Sequence, residues 1–171
     1  MNKYCFDSSA FINSWRRYYP PTVFSPLWEK FVELIKEGRI IIPKEAEKEI
    51  LAGRDDLAEW LKINCQCVKK YTTEQLFLVQ EIVNKYPKVS QYKKVKSYHA
   101  DPFVLALAKI ENASVVTYEA NDGNYEDPKI PILCREYKVK CFDMVTFFNE
   151  EKFSFRLTTQ LESLPNQALI K

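Results

Sequence analysis

In the stretch YCFDSSAFINSW, Asp7 stands at the end of a short apolar run and is followed at once by Ser8 and Ser9. A carboxylate there can accept from the orphan amides of a helix's first turn, which is ordinary N-capping. It can also supply charge to a site, if the rest of the chain provides partners. Glu119 closes the β-branched run SVVTYE, Asp101 precedes Pro102 at the head of DPFVLALAKI, and Glu45, Glu47 and Glu49 follow the apolar IIIP. Carboxylates that converge without a nearby Lys or Arg repel one another, an arrangement sensible only if a hard divalent cation neutralises them. Oxygen-only ligation selects Mg²⁺ or Mn²⁺ over zinc. Such an ion orients water, lowers its pKa and holds a phosphodiester, so the chemistry on offer is metal-assisted hydrolysis.

Convergence depends on the elements that carry these acids. Tyr4 to Phe6 reads as a first strand, and Ala10 to Trp15 as the start of a helix that Pro20 and Pro21 stop. Ser25 caps a second helix to Glu37, with Pro26 in its first turn, Leu27, Trp28, Phe31, Leu34 and Ile35 as its buried stripe, and Gly38 as its end. Ile40 to Ile42 is a strand, and Pro43 opens a helix to about Ala52. Residues 55 to 96 read as a helical insertion around a strand-like CQCVKKY, with Thr72 to Tyr86 as its clearest helix. DPFVLALAKI is apolar almost all round and is therefore expected to be buried. A loop over 124 to 131, a helix from Ile132 to Tyr137, a strand from Val139 to Phe142 and a helix from Met144 to Asn149 complete the pattern. Strands separated by helices imply an α/β fold with a parallel sheet covered on both faces.

In a parallel sheet all strands end on one edge, and ligands bind in the crevice outside those ends. Asp7 and Glu119 share that edge as strand ends. Asp101, at the N-terminus of a helix that runs back antiparallel to the SVVTYE strand, joins them, although an Asp N-cap before Pro satisfies the same pattern. Among the glutamates, at about 100° per residue, Glu49 flanks the Ala46/Ile50 stripe on one side and Glu47 on the other. Each glutamate taken alone reads as a solvated surface charge. Glu49 is chosen because it borders the core and sits just before Gly53.

The length of 171 residues suits one domain, over about 1 to 150, followed by a tail over 151 to 171 that pattern does not define. Hydrophobic residues at 46% with only three glycines indicate a helix-rich packed chain, and a net charge of +2 marks no nucleic-acid binder by itself. Five cysteines, with only Cys65 and Cys67 closely spaced, form neither a disulfide framework nor a four-ligand zinc pattern, and read as reduced packing thiols of a cytoplasmic protein. MNKYCFDSS lacks the features of a signal peptide, and no window approaches a membrane span.

These residues resemble a PIN domain, the metal-dependent nuclease family that includes VapC-type toxins. YCFDSSAFI matches the family's strand ending in Asp and Ser or Thr, EKEILAG resembles its acidic helix, HADPFVLALA its mid-chain aspartate on an alanine-rich helix, and VVTYEAND its strand ending in Thr and an acid. Further, DSSAFINSWRRYYPP, the Pro-Leu-Trp segment and the IPILC loop resemble a small uncharacterised PIN-like subfamily. The resemblance spans roughly residues 3 to 148. It implies a three-layer α/β/α fold, catalytic roles for Asp7, Glu49, Asp101 and Glu119, and support from Ser8 and Thr117. It also implies Mg²⁺ or Mn²⁺ on Asp7, Asp101, Glu119 and Asp122. The implied activity is endoribonuclease, as the toxin of a pair silenced by an antitoxin protein, with a homodimer as a further partner state. A PIN-like nuclease acting on DNA or in RNA processing, and a non-catalytic module that keeps the fold, are the competing readings. A phospho-accepting receiver domain would need adjacent acids at strand one, which DSS does not supply.

Two cationic stretches bear on substrate capture. WRRYYPP combines Arg16 and Arg17 with Trp15, Tyr18 and Tyr19, which suits phosphates and unpaired bases and equally suits rings packed under a loop. QYKKVKSYH sets Lys93, Lys94 and Lys96 beside Asp101, as a solvated face or as the border of a cleft. His99 reads as a local hydrogen-bond partner or an aid to proton transfer.

Overall fold

The structure, a computed structural model, describes residues 1–90, 100–120, 126 and 128–154. The expected Lys93, Lys94, Lys96, His99 and Asp122, and the tail from 155 on, lie outside the described residues.

Three-residue β1, Tyr4–Phe6, lies at the centre of an all-parallel sheet. On one side it pairs with β2, Ile40–Pro43, through Tyr4↔Ile40 and Cys5↔Ile41. On the other it pairs with β4, Ser114–Val116, through Tyr4↔Ser114, Cys5↔Val115 and Phe6↔Val116. Two short edge strands, β3 (Val68–Lys69) and β5 (Cys141–Phe142), complete the order β3-β2-β1-β4-β5. The connections carry α1 (Ser8–Asn13), α2 (Pro21–Lys36), α3 (Lys44–Leu51), α4 (Asp56–Ile63), α5 (Thr73–Lys85), α6 (Asp101–Ile110) and α7 (Ile130–Glu136). Helix α8 (Met144–Glu150) follows β5.

Strand side chains alternate between faces, and β1 shows how each face is filled. Tyr4 and Phe6 point to a layer of aromatic rings: Phe6 meets Phe11 of α1 at 5.1 Å, Phe31 of α2 at 5.7 Å and Phe147 of α8 at 5.1 Å. Cys5 points the other way, its thiol donating to the Val104 carbonyl of α6 at 3.5 Å. Helix α6 buries Pro102, Val104, Leu105, Ala106, Leu107 and Ala108 against the sheet and has α5 and α7 beside it, which accounts for its apolar sequence. The result is the three-layer α/β/α arrangement expected from the sequence.

Within residues 55–90, read as a helical insertion around a strand-like CQCVKKY, Val68 and Lys69 pair with Ile42 and Pro43 as the sheet's edge strand, and α5 packs on α6. Two local readings are revised. Pro20 and Pro21 stop one helix and start the next, because Pro is tolerated at a first helical position. The residues preceding Ser25 therefore form an extra turn, joined to the expected helix at a kink at Phe24 (φ −116°, ψ 40°). The stripe Leu27, Trp28, Phe31, Leu34 and Ile35 is buried as read, and Gly38 ends the helix at φ +69°. Finally, α1 continues as a π-helical turn over Ser14–Tyr18.

Candidate active site at the carboxyl edge of the sheet

Asp7 leaves β1 in extended conformation (φ −71°, ψ 156°) and caps α1, accepting from the Ser9 amide at 3.3 Å. Capping uses only part of its carboxylate. Oδ2 also accepts from Ser9 Oγ at 2.5 Å and Thr117 Oγ1 at 3.0 Å, and Oδ1 from Ser8 Oγ at 3.4 Å. Asp7 is 4% exposed and Thr117 2%. The Ser8 hydroxyl also donates to Glu49 Oε2, and Glu49 Oε1 accepts from the Ala100 amide at 3.2 Å. Glu49 thereby ties α3 to the heads of both α1 and α6.

Asp101 is the first residue of α6, and Ala100 is its N-cap, with no side-chain cap bond; the expected Asp cap is not formed. Its carboxyl is pushed well above the usual range, first by burial and then by the charges of Asp7, Glu119 and Glu49. Burial likewise raises Glu49 to about 7, with Asp7 and Glu119 adding to it and the Ser8 and Ala100 hydrogen bonds opposing it. Glu119 lies beyond the end of β4, not on it. Its amide donates to Thr117 Oγ1 at 3.0 Å, and its Oε2 accepts from the Ile130 amide at 2.8 Å, at the first turn of α7. Four acids carried by four separate segments thus feel one another's charge at one edge. A crevice of about 290 Å³, lined by Thr117, Glu119, Pro131, Arg135, Cys141, Phe142 and Asp143, opens beside them.

The donor set is all oxygen, and the charges that weigh most on Asp101 are themselves acids, which fits the chemistry of a hard divalent cation. Among the described residues, no group of three or more His, Cys, Asp or Glu side chains is arranged to hold a metal ion as it stands. Glu45 and Glu47, read as solvated, are 7% and 9% exposed. Lys48 reaches Glu45 Oε1 at 3.3 Å and Lys44 pairs with Glu47, so both charges are buried beside a cation.

WRRYYPP divides between its two readings. Trp15 packs on Trp28 at 4.6 Å, and Tyr19 packs on Phe24 and Phe148 while its carbonyl accepts from Trp28 Nε1 at 2.8 Å. Arg16 donates to Asp55 Oδ2 through Nε at 2.9 Å and Nη2 at 2.6 Å, holding the turn that leads into α4. Arg17 and Tyr18 remain exposed. Sequence reasoning missed Ser9 and Tyr118: Ser9 Oγ accepts from the Tyr118 amide at 3.0 Å while donating to Asp7. The doubled serine after Asp7 was the available signal.

The chain belongs to the family described as Domain of unknown function (DUF4411), whose model matches residues 4–155. No curated protein matches it. Among solved structures, a similar chain occurs in the crystal structure of VapBC2 from Rickettsia felis bound to a DNA fragment from their promoter. It is 13% identical, with a TM-score of 0.47, over 82% of this chain and 97% of that one. At that level the similarity bears on neither activity nor partners. No helix among the described residues is long and apolar enough to cross a membrane.

Proposed function

We propose that this protein is a PIN-like, Mg²⁺- or Mn²⁺-dependent endoribonuclease that hydrolyses RNA phosphodiester bonds. The observation that carries this reading is the mutual electrostatic burden of Asp7, Glu49, Asp101 and Glu119 at the sheet's carboxyl edge. Asp7, Asp101 and Glu119 would hold the ion, which when bound supplies an activated water and positive charge for the phosphate. Ser9 and Thr117 fix the Asp7 carboxylate, and Ser8 and the Ala100 amide fix Glu49. With its carboxyl near 7, Glu49 can exchange a proton in the physiological range. From the sequence resemblance alone, an antitoxin protein is the silencing partner, and a small neighbouring gene for a DNA-binding protein would support it.

Single-stranded RNA and DNA of matched sequence are incubated with purified protein in EDTA, Mg²⁺ or Mn²⁺. Cleavage of RNA in either metal, lost in EDTA and in the Asp7→Asn and Asp101→Asn variants, is expected. Parental cleavage by folded Asp101→Asn protein would remove the site assignment, and cleavage of DNA alone would transfer the activity to the other polymer.

A further inference from the structure

The π-helical turn Ser14–Tyr18 sets an aromatic ring beside the acidic edge with one side open. Tyr18 stacks on Tyr118 with centroids 5.0 Å apart and planes 17° from parallel, yet Tyr18 remains 52% exposed. Tyr118 is the rigid half of this pair. It lies between Thr117 and Glu119 in the chain, its amide donates to Ser9 Oγ at 3.0 Å, and its hydroxyl lies 3.3 Å from Ser14 Oγ. Ser9 is also the residue that holds Asp7. One serine therefore fixes both the ring and the acid.

We propose that the open face of Tyr18, backed by Tyr118, is a stacking site for an unpaired nucleobase of the strand that the acids cleave. This rests on the ribonuclease reading and narrows its substrate to single-stranded RNA. In a duplex both faces of each base are covered by neighbours, whereas an unpaired base has a face free to stack on a ring. The rings around Tyr18 have gone the other way: Trp15 and Tyr19 pack inward, and Trp28 is 4% exposed. Packing therefore accounts for the neighbours, and Tyr18, with Tyr118 stacked on it and the tilted Tyr19 ring 6.4 Å away, keeps half of its surface open to solvent. Arg17, exposed and unpaired among the described residues, adds a cation in the same turn for the adjoining phosphate. Interruptions of helix geometry of this π type recur at functional sites.

The test measures fluorescence anisotropy of a labelled 12-nucleotide single-stranded RNA and of its duplex, in EDTA, with Tyr18→Phe, Tyr18→Leu, Tyr18→Ala and Arg17→Ala, each checked for folding by thermal melt. Losing one base stack should weaken single-strand affinity about 5- to 100-fold in Tyr18→Leu and Tyr18→Ala. Tyr18→Phe should bind like the parent, and duplex affinity should not change. The salt slope should stay constant for the Tyr18 variants and fall by roughly 0.7 for Arg17→Ala, since only the phosphate contact releases counterions. Parental single-strand affinity in folded Tyr18→Ala would overturn the stacking site even if metal-dependent cleavage is found. Binding that depends on the Tyr18 ring without any cleavage in Mg²⁺ or Mn²⁺ would keep the stacking site and overturn the nuclease. A parent that neither binds nor cleaves RNA overturns both.

Discussion

Replacing Glu49 by Gln should stabilise the metal-free protein, and only at the alkaline end of its range. The carboxyl is raised from 4.5 to about 7 by burial and by Asp7 and Glu119. In the unfolded chain it ionises at its ordinary value, so as pH rises from about 4.5 to about 7 the unfolded state releases a proton that the folded state retains. Folding stability therefore falls across that window and levels off above it. At about 1.4 kcal/mol per tenfold change in proton affinity, a shift from 4.5 to about 7 bounds the effect at roughly 3 kcal/mol. Glu49 is only partly buried, and solvent screening leaves about half, roughly 1.5 kcal/mol. Glutamine keeps an oxygen for the Ala100 amide and an amide that can donate to Ser8 Oγ, so the contacts survive while the charge is removed. In EDTA at pH 8 the variant should melt about 3–6 °C above the parent, for a chain of this size, and at pH 4.5 the two should nearly coincide. Saturating Mg²⁺ at pH 8 should raise the parent more than the variant. A variant that melts at or below the parent at pH 8, or that gains equally at both pH values, would refute the electrostatic account of this edge.

Ser9→Ala removes a hydroxyl that donates to Asp7 and accepts from Tyr118; urea unfolding should show a loss of about 1–2 kcal/mol, together with weaker single-strand binding. Phe147→Ala empties the meeting point of Tyr4 at 4.7 Å and Phe6 at 5.1 Å and should cost about 3–5 kcal/mol, with unchanged denaturant slope if the core alone is affected.

Most of the frame could be read from the chain because it follows from periodicity. The stripe from Leu27 to Ile35, the apolar run after Asp101 and the β-branched runs each identify an element, and a parallel sheet then forces the acids at their ends to one edge. What escaped were features too short to have a period. Val68 and Lys69 lie within CQCVKKY, which does read as strand-like, but only their pairing with β2 shows that they close the sheet as its edge strand. Pro20 and Pro21 carry the same local signal whether a helix stops or starts. The π turn depends on one extra residue that no spacing rule announces, and with it went the stacking of Tyr18 on a ring one hundred positions away.

The three glutamates of α3 show where residue type ceases to inform and surroundings take over. All three would sit as well on a solvated face, and helix spacing separates them only by side. In the structure Glu45 lies against Lys48 and Glu47 against Lys44, so each buried charge is offset within its own helix, at the end where the helix dipole also favours an anion. Glu49 comes later, pairs with no cation among the described residues, and turns instead to a hydroxyl and an amide. Its remaining electrostatic neighbours are Asp7 and Glu119. The same side chain, placed one turn further along, therefore passes from a compensated ion pair into a group of acids, where burial first and the charges of Asp7 and Glu119 next raise its carboxyl to about 7.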